Sequence, residues 1–254
     1  MQTMGVTLPS EPLEAAKQII LESEKQGVPL RLLGGLAFKV MCVSATHPPF
    51  ARGNGDIDIY GLRQDSSAIM KIMVTLGYKP REVFNSLSMG KRLIYHDLSN
   101  RRRVDIFLDE FEMCHKFNFK DRISIGKLTL QMTDLVMTKL QVVEMTEKEY
   151  MDLMAAFRDF EVTHDEIGIN ADRIADFCSK DWGIYRTFTR SLRLVKEAAF
   201  ALKDANTEVI VPRISALVEA IEHRPKTFAW KVRAAVGERA RWYELPEPDL
   251  DLPA

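Results

Sequence analysis

Apolar and polar positions repeat with two different periods along this chain, and the period changes near residue 130. Before that point short apolar runs and two-residue alternation dominate. Residues 11–26 carry Leu13, Ile19 and Ile20 at helical spacing after Pro12, which suits a first helical turn, and Gly27 ends the segment. Val28 to Leu33 is a short apolar run that predicts a strand, broken by Gly34-Gly35. Leu36 to Ala45 predicts an apolar helix that stops before Pro48-Pro49. Asp56 to Gly61 alternates acidic and apolar residues, the pattern of a half-buried strand. Ser66 to Leu76 places Ile69, Ile72, Met73 and Leu76 on one helical side. Leu87 to Leu98 and Arg103 to Leu108 predict two strands joined through Ser99-Asn100-Arg101-Arg102. Lys116 to Ile125 and Lys127 to Leu130 predict a further short hairpin turning at Gly126.

From Thr133 onward helical spacing takes over. Leu135, Leu140 and Val143 share a segment with Lys139, and Thr146-Glu147-Lys148-Glu149 is a capping box that opens a helix towards Phe160. Asn170 caps a short helix ending near Cys178, and further helices are predicted over Tyr185–Lys203, Pro212–His223 and Thr227–Arg241. A tail rich in proline and aspartate begins at Glu244 and is expected to be loose. The fold class expected is therefore α+β: a mixed sheet with flanking helices over residues 1–130, a helical domain over 131–243, and a tail over 244–254.

Composition narrows the function classes. The chain has 254 residues, of which 46% are hydrophobic and 28% charged, so a substantial core is expected rather than disorder. A net charge of −1 argues against nucleic-acid binding through bulk charge. Cys42, Cys114 and Cys178 are odd in number, widely spaced and without metal-ligand spacing, which predicts reduced core thiols. No signal-peptide pattern opens the chain and no run of about 18 apolar residues is present, so a cytoplasmic protein without membrane attachment is expected.

The candidate chemistry lies in the glycines and the aspartates. On a strand, residues two apart share a face, so Asp56 and Asp58 project together while Ile57 and Ile59 face the core. Adjacent carboxylates repel unless a cation lies between them or one is protonated. Magnesium takes carboxylate oxygens together with water and substrate phosphates. Asp105, between Val104 and Ile106, faces away from the apolar side of its own strand. If that strand pairs beside the Asp56 strand, three carboxylates converge. Gly34 and Gly35 lie between a strand and a helix, where glycine admits a phosphate close to the backbone and free helix amides favour an anion. Arg52 and Asn54 precede the aspartates and would reach phosphate or ribose.

Other charged features have plainer readings. Arg101-Arg102-Arg103, with Lys91 and Arg92, reads as a solvated hairpin turn, or as a landing place for RNA phosphates. Phe228, Trp230 and Trp242, interleaved with basic residues in the last helices, would stack on bases if exposed; burial in the helical core is the plainer expectation. His96 beside Asp97 would face the acidic site or lie as an ordinary strand residue.

In this order, Gly34-Gly35, then Asp56-Ile57-Asp58, then Asp105, the chain resembles the nucleotidyltransferase superfamily with its polymerase-β-like fold. Gly34-Gly35-Leu36-Ala37 followed by Arg52-Gly53-Asn54-Gly55-Asp56-Ile57-Asp58 resembles its AbiEii-type branch, bacterial nucleotidyltransferase-like proteins of which some are toxins of toxin–antitoxin systems. Thr138-Lys139-Leu140 and Lys148-Glu149-Tyr150-Met151-Asp152-Leu153 are similar to later elements of that branch. The resemblance covers residues 28–155. It departs from the family at Asn54 or Gly55, where a serine or threonine is common, and in the loose match of the Lys148 to Asp152 spacing.

The resemblance implies transfer of a nucleoside monophosphate from a nucleoside triphosphate to an acceptor hydroxyl. It assigns Mg2+ to Asp56, Asp58 and Asp105, and nucleotide contacts to Gly34, Gly35, Arg52, Asn54 and Lys139. The acceptor would be RNA, a protein hydroxyl or a small molecule such as an aminoglycoside, and an antitoxin-like protein is a candidate partner. The alternative is a catalytically silent nucleotide-binding module. A purely structural domain would instead place Asp56, Asp58 and Asp105 far apart.

Overall fold

The computed structural model describes residues 8–53 and 55–245. The chain divides into two compact units, Met1–Phe111 with Asn118–Leu135, and Glu112–Phe117 with Val136–Ala254. Asn54 and residues 246–254, most of the expected tail, lie outside the described residues.

The first unit is a five-stranded mixed sheet with flanking helices. Helix α1 (Pro12–Lys25) leads to β1 (Arg31–Leu33), which runs straight into α2 (Gly34–Met41). Strand β2 (Ile57–Gly61) and helix α3 (Ser66–Thr75) follow, then β3 (Lys79–Pro80), α4 (Glu82–Leu87), β4 (Arg92–Asp97) and β5 (Arg102–Leu108). The sheet order is β1-β2-β5-β4-β3, and β2–β5 is the parallel pair. Ile57, Ile59, Val104 and Ile106 are fully buried, as are Ala15, Ala16 and Ile19 of α1 and Ile69 and Met73 of α3. Helix α1 packs on β2 and α3. The two-residue alternation thus puts the apolar side chains of β2 and β5 into the core, and the sequence period becomes a buried layer.

Two elements differ from expectation. The strand predicted from Leu87 starts only at Arg92, and residues 82–87 form α4. Asn85 on this helix accepts from the Ile94 amide at 2.7 Å and donates to the Ile94 carbonyl at 3.1 Å. A side chain therefore takes the main-chain groups that a longer neighbouring strand would have paired. The hairpin through Gly126 does not form. Instead Leu128 to Leu130 runs parallel to β1, with Leu32 N on Leu128 O at 2.8 Å and Leu130 N on Leu32 O at 3.0 Å. Strand β7 (Lys116–Asn118) pairs with β6 (Glu110–Glu112).

The arginine turn is only partly solvated. Arg101 is exposed and adopts a left-handed conformation at the β4–β5 turn. Arg102 is 3% exposed, and its guanidinium donates to Asp97 at 2.9 Å and to the Pro9 carbonyl at 2.7 Å. Asp97 also accepts from the amides of Ser99 and Asn100, both at 3.1 Å, so one buried carboxylate organises the turn.

Helices make up most of the second unit. Helix α5 (Met132–Leu140) is followed by α6 (Glu147–Asp159), which opens with the expected capping box at Thr146 and Glu149. After the short strands β8 (Val162–Thr163) and β9 (Ile169–Asn170) come α7 (Ala171–Lys180), α8 (Trp182–Leu202), α9 (Ala205–His223) and α10 (Phe228–Val236). Asn170 caps α7 through the Arg173 amide, and Asp181 caps α8 through Ile184. Pro212 lies inside α9 rather than at its start. Its missing amide removes a helical bond, but Ile210, Ile214, Leu217 and Ile221 are fully buried and α9 packs on α7 and α8, so tertiary burial overrides local preference. Phe228 is 82% exposed, while Trp230 and Trp242 are half-buried, so the expected burial of all three in a helical core does not occur. The three cysteines are buried and form no disulfide among the described residues. Among the described residues no helix is long and apolar enough to cross a membrane.

Replacing Asp97 by alanine leaves the Arg102 charge buried without its carboxylate, a loss of about 3–5 kcal/mol. Urea unfolding of Asp97→Ala should show a much lower midpoint than Arg101→Ala at the exposed turn position. Equal midpoints would contradict the structural role of the pair.

Candidate active site

Gly34 ends β1 with φ +67 and starts α2 at once. A Cβ placed there would lie 2.0 Å from Oδ2 of Asp58, so the diglycine bend closes directly over that carboxylate. Leu33 and Asp58 are register partners, which sets the bend at that height of β2. Gly35 follows, half-buried, in the first turn of α2, where amides lack intrahelical acceptors.

Asp58 and Asp105 are register partners across the parallel β2–β5 pair. Paired residues of adjacent strands project to one face about 4.8 Å apart along the sheet. Asp58 is half-buried, and Asp56, just before β2, is exposed. The expectation that a purely structural domain would place these acids far apart does not hold for Asp58 and Asp105, which are register partners.

Asp105 is 1% exposed and bound on both oxygens. Oδ1 accepts from Arg92 Nη2 at 3.0 Å and from Arg92 Nε at 3.1 Å, and Oδ2 accepts from Arg103 Nε at 2.7 Å. The Arg92 guanidinium also lies over the Phe107 ring, 4.8 Å from its centroid. Two guanidinium groups thus neutralise the carboxylate that stands next to Asp58 and make its burial tolerable. Arg103 was legible as a partner, because Arg103-Val104-Asp105 puts both charges on one strand face. Arg92 was not, since its contact requires the antiparallel β4–β5 register.

His96 is the register partner of Arg103, and its buried Nδ1 has no hydrogen-bond partner. Burial, reinforced by the nearby Arg81 and Arg103 charges, holds its pKa below the ordinary histidine value, against the pull of Asp105 and Asp56.

The remaining candidates sit as follows. Arg52 is half-buried and donates to the Gly53 carbonyl at 3.1 Å. Asn54 is outside the described residues. Lys139 belongs to the second unit, where Asp152 at 3.0 Å and Glu149 at 3.3 Å hold it. The two segments that resembled later elements of the AbiEii-type branch therefore meet in an ion pair.

Among the described residues no group of three histidine, cysteine or acidic side chains is arranged to hold a metal. Asp56 and Asp58 still fit magnesium in donor chemistry, because that ion is bound by one or two carboxylates plus water and phosphate. Asp105 is committed to arginine.

No protein-family model matches the chain, and no curated protein matches it. Among solved structures it is similar to the solution structure of the antibiotic-resistance factor ANT(2'')-Ia, reported to show substrate-regulated conformation dynamics. The two are 13% identical, the match covers 83% of this chain and 95% of the other, and the TM-score is 0.35. A score of that size leaves the reading of the site to its own side chains.

Gly34→Ala should destabilise the protein well beyond Gly27→Ala. Both glycines have left-handed φ, but nothing lies within 4 Å of a Cβ at Gly27. The Gly27 substitution should cost about 1–2 kcal/mol, and the Gly34 substitution that amount plus displacement of Asp58. Similar thermal shifts for the two would disprove the close approach.

Arg103→Ala should raise the pKa of His96, because it removes a repelling cation and unmasks Asp105. The sign also fixes a stability trend. Protonation of His96 is disfavoured in the fold, so its contribution is complete above the unfolded value of about 6.5 and is lost as pH falls towards the lower folded value. A histidine NMR titration reads the shift directly, and an unmoved His96 would contradict the arrangement.

Proposed function

We propose that the first unit is a magnesium-dependent nucleotidyltransferase site. It moves a nucleoside monophosphate from a nucleoside triphosphate to an acceptor hydroxyl and releases pyrophosphate. The observation that supports this most directly is the register pairing of Asp58 with Asp105 beside a glycine backbone that touches the Asp58 carboxylate.

In the reaction the acceptor oxygen bonds to the α-phosphorus, the bond from that phosphorus to its bridging oxygen breaks, and pyrophosphate leaves with the electron pair. Asp56 and Asp58 would hold the cation, which when bound supplies charge neutralisation at the phosphates. The backbone at Gly34 and Gly35 gives a phosphate close approach at the start of α2. Arg52 provides a cation on the loop leading to the aspartates.

Asp105 is assigned the acceptor proton, and its arginines give that role a trigger. Guanidinium binds phosphate as readily as carboxylate. An incoming triphosphate would therefore compete for Arg92 and Arg103 and free an oxygen of Asp105. The clamp on Asp105 also favours a second reading, in which the site binds a nucleotide and performs no transfer.

The deciding experiment incubates the protein with each labelled triphosphate, magnesium and acceptor pools of RNA, protein and small hydroxyl compounds. Wild-type protein should label an acceptor, and Asp58→Ala should transfer about a hundredfold less or worse. Transfer that survives the Asp56→Ala, Asp58→Ala double substitution would refute the assignment. Triphosphate binding without transfer, weakened by Arg103→Ala, would establish the second reading.

A further inference from the structure

A cavity of about 590 Å³ lies wholly within the second unit, between the start of α8, helix α10 and residues 241–244. Its walls include Trp182, Trp230 and Trp242, which are all the tryptophans of the chain. Ligand sites of small molecules typically enclose about 300–1,000 Å³ and are lined by aromatic groups with a few polar ones.

The walls are fixed by specific contacts. Gly183 has no Cβ, and one placed there would lie 2.7 Å from the Trp242 carbonyl, so the backbone at Trp242 seats directly against the first turn of α8. The Trp242 indole N–H donates to Thr187 Oγ1 at 3.1 Å, and the same oxygen is 2.8 Å from His115 Nε2. Trp242 meets Trp182 edge to face, with centroids 6.0 Å apart. Arg233 lies over the Trp182 ring at 4.7 Å and donates to the carbonyls of Gly237 at 2.7 Å and Ala240 at 2.8 Å, which latches the segment after α10. The cavity is therefore preformed.

Its lining carries four cations, Lys116, Lys180, Arg233 and Arg241, against two carboxylates, Asp181 and Glu244. Lys116 is paired with Glu112, and Asp181 is engaged as the cap of α8. Lys180 and Arg241, both at the rim and exposed, make no ion pair among the described residues. Burial keeps the His115 pKa below its ordinary value, so this ring adds no charge near neutrality. The half-buried rings of Trp230 and Trp242 beside a lining in which cations outnumber carboxylates favour a ligand that is both planar and anionic. A neutral sugar would leave the cations unused, and an acidic peptide would leave the rings unused.

We propose that this cavity binds a nucleotide unit, with the base against Trp230 and Trp242 and the phosphate on Lys180 and Arg241. The source is a free nucleoside monophosphate or the end of a single strand. Stacking on aromatic side chains is worth about 1–3 kcal/mol per base, enough for a defined site when joined to a charge-assisted phosphate contact.

Because all three tryptophans line the cavity, intrinsic fluorescence reports on it directly. Titration with each nucleoside monophosphate should quench or shift the emission saturably, and the unphosphorylated nucleoside should bind more weakly. Lys180→Glu and Arg241→Glu, both at exposed positions, should each weaken binding about tenfold. A short single-stranded oligonucleotide that binds more tightly than the monophosphate assigns a strand end, and one that binds no better assigns the free nucleotide. Asp58→Asn, titrated in parallel, should give an unchanged curve, which separates this cavity from the site of the first unit. Absence of any saturable change, a response insensitive to both charge reversals, or a response lost in Asp58→Asn would overturn the proposal.

Discussion

The parallel pairing of β2 with β5 is the constraint on which the candidate site depends. Parallel strands cannot be joined by a tight turn. Here the intervening chain forms α3, β3, α4 and β4 before it returns beside β2. The register that results sets Ile57 opposite Val104 and Ile59 opposite Ile106, and so fills the core. The same register leaves Asp58 opposite Asp105 on the other face. A one-residue slip of β5 against β2 would turn Asp105 towards the apolar layer and Val104 and Ile106 away from it, so the hydrophobic layer itself enforces the juxtaposition of charge.

Two like charges at that spacing need compensation, and the structure supplies it asymmetrically. Arg92 and Arg103 neutralise Asp105, while Asp58 packs against the Gly34 backbone and Asp56 stays exposed. A second buried pair, Asp97 with Arg102, holds the turn that leads into β5, on which Arg103 lies. The basic run at 101–103 therefore does three separate jobs. Arg101 takes the turn conformation, Arg102 anchors the hairpin, and Arg103 screens the site. A run of like residues in sequence is not a patch in space when strand alternation sends its neighbours to opposite faces.

The fold was legible where a local pattern and the tertiary environment agreed. Alternation at Asp56 to Gly61, the capping box at Thr146 and Glu149, and the Asn170 cap each carry their physical cause within a few residues. Expectation and structure parted where a distant group decided. Asn85 of α4 satisfies the main chain of Ile94, and the strand expected from Leu87 begins only at Arg92. The main chain of Leu32 draws Leu128 to Leu130 alongside β1 in place of a hairpin. Burial of Ile210 and Ile214 carries α9 through Pro212.

By itself the sequence pointed to candidate side chains: Asp56 and Asp58 two apart where a strand begins, a third aspartate among apolar neighbours, and a glycine pair at a strand-to-helix junction. These follow from periodicity and from the conformations open to glycine, which are properties of short segments. Only the tertiary structure decided what those groups face. The clamp on Asp105 needs β4 beside β5, and the approach of Gly34 to Asp58 needs β1 beside β2. The tryptophan-lined cavity joins residues far apart in the second unit. Such contacts are set by register and packing between distant segments, on which the local pattern of residues carries no information.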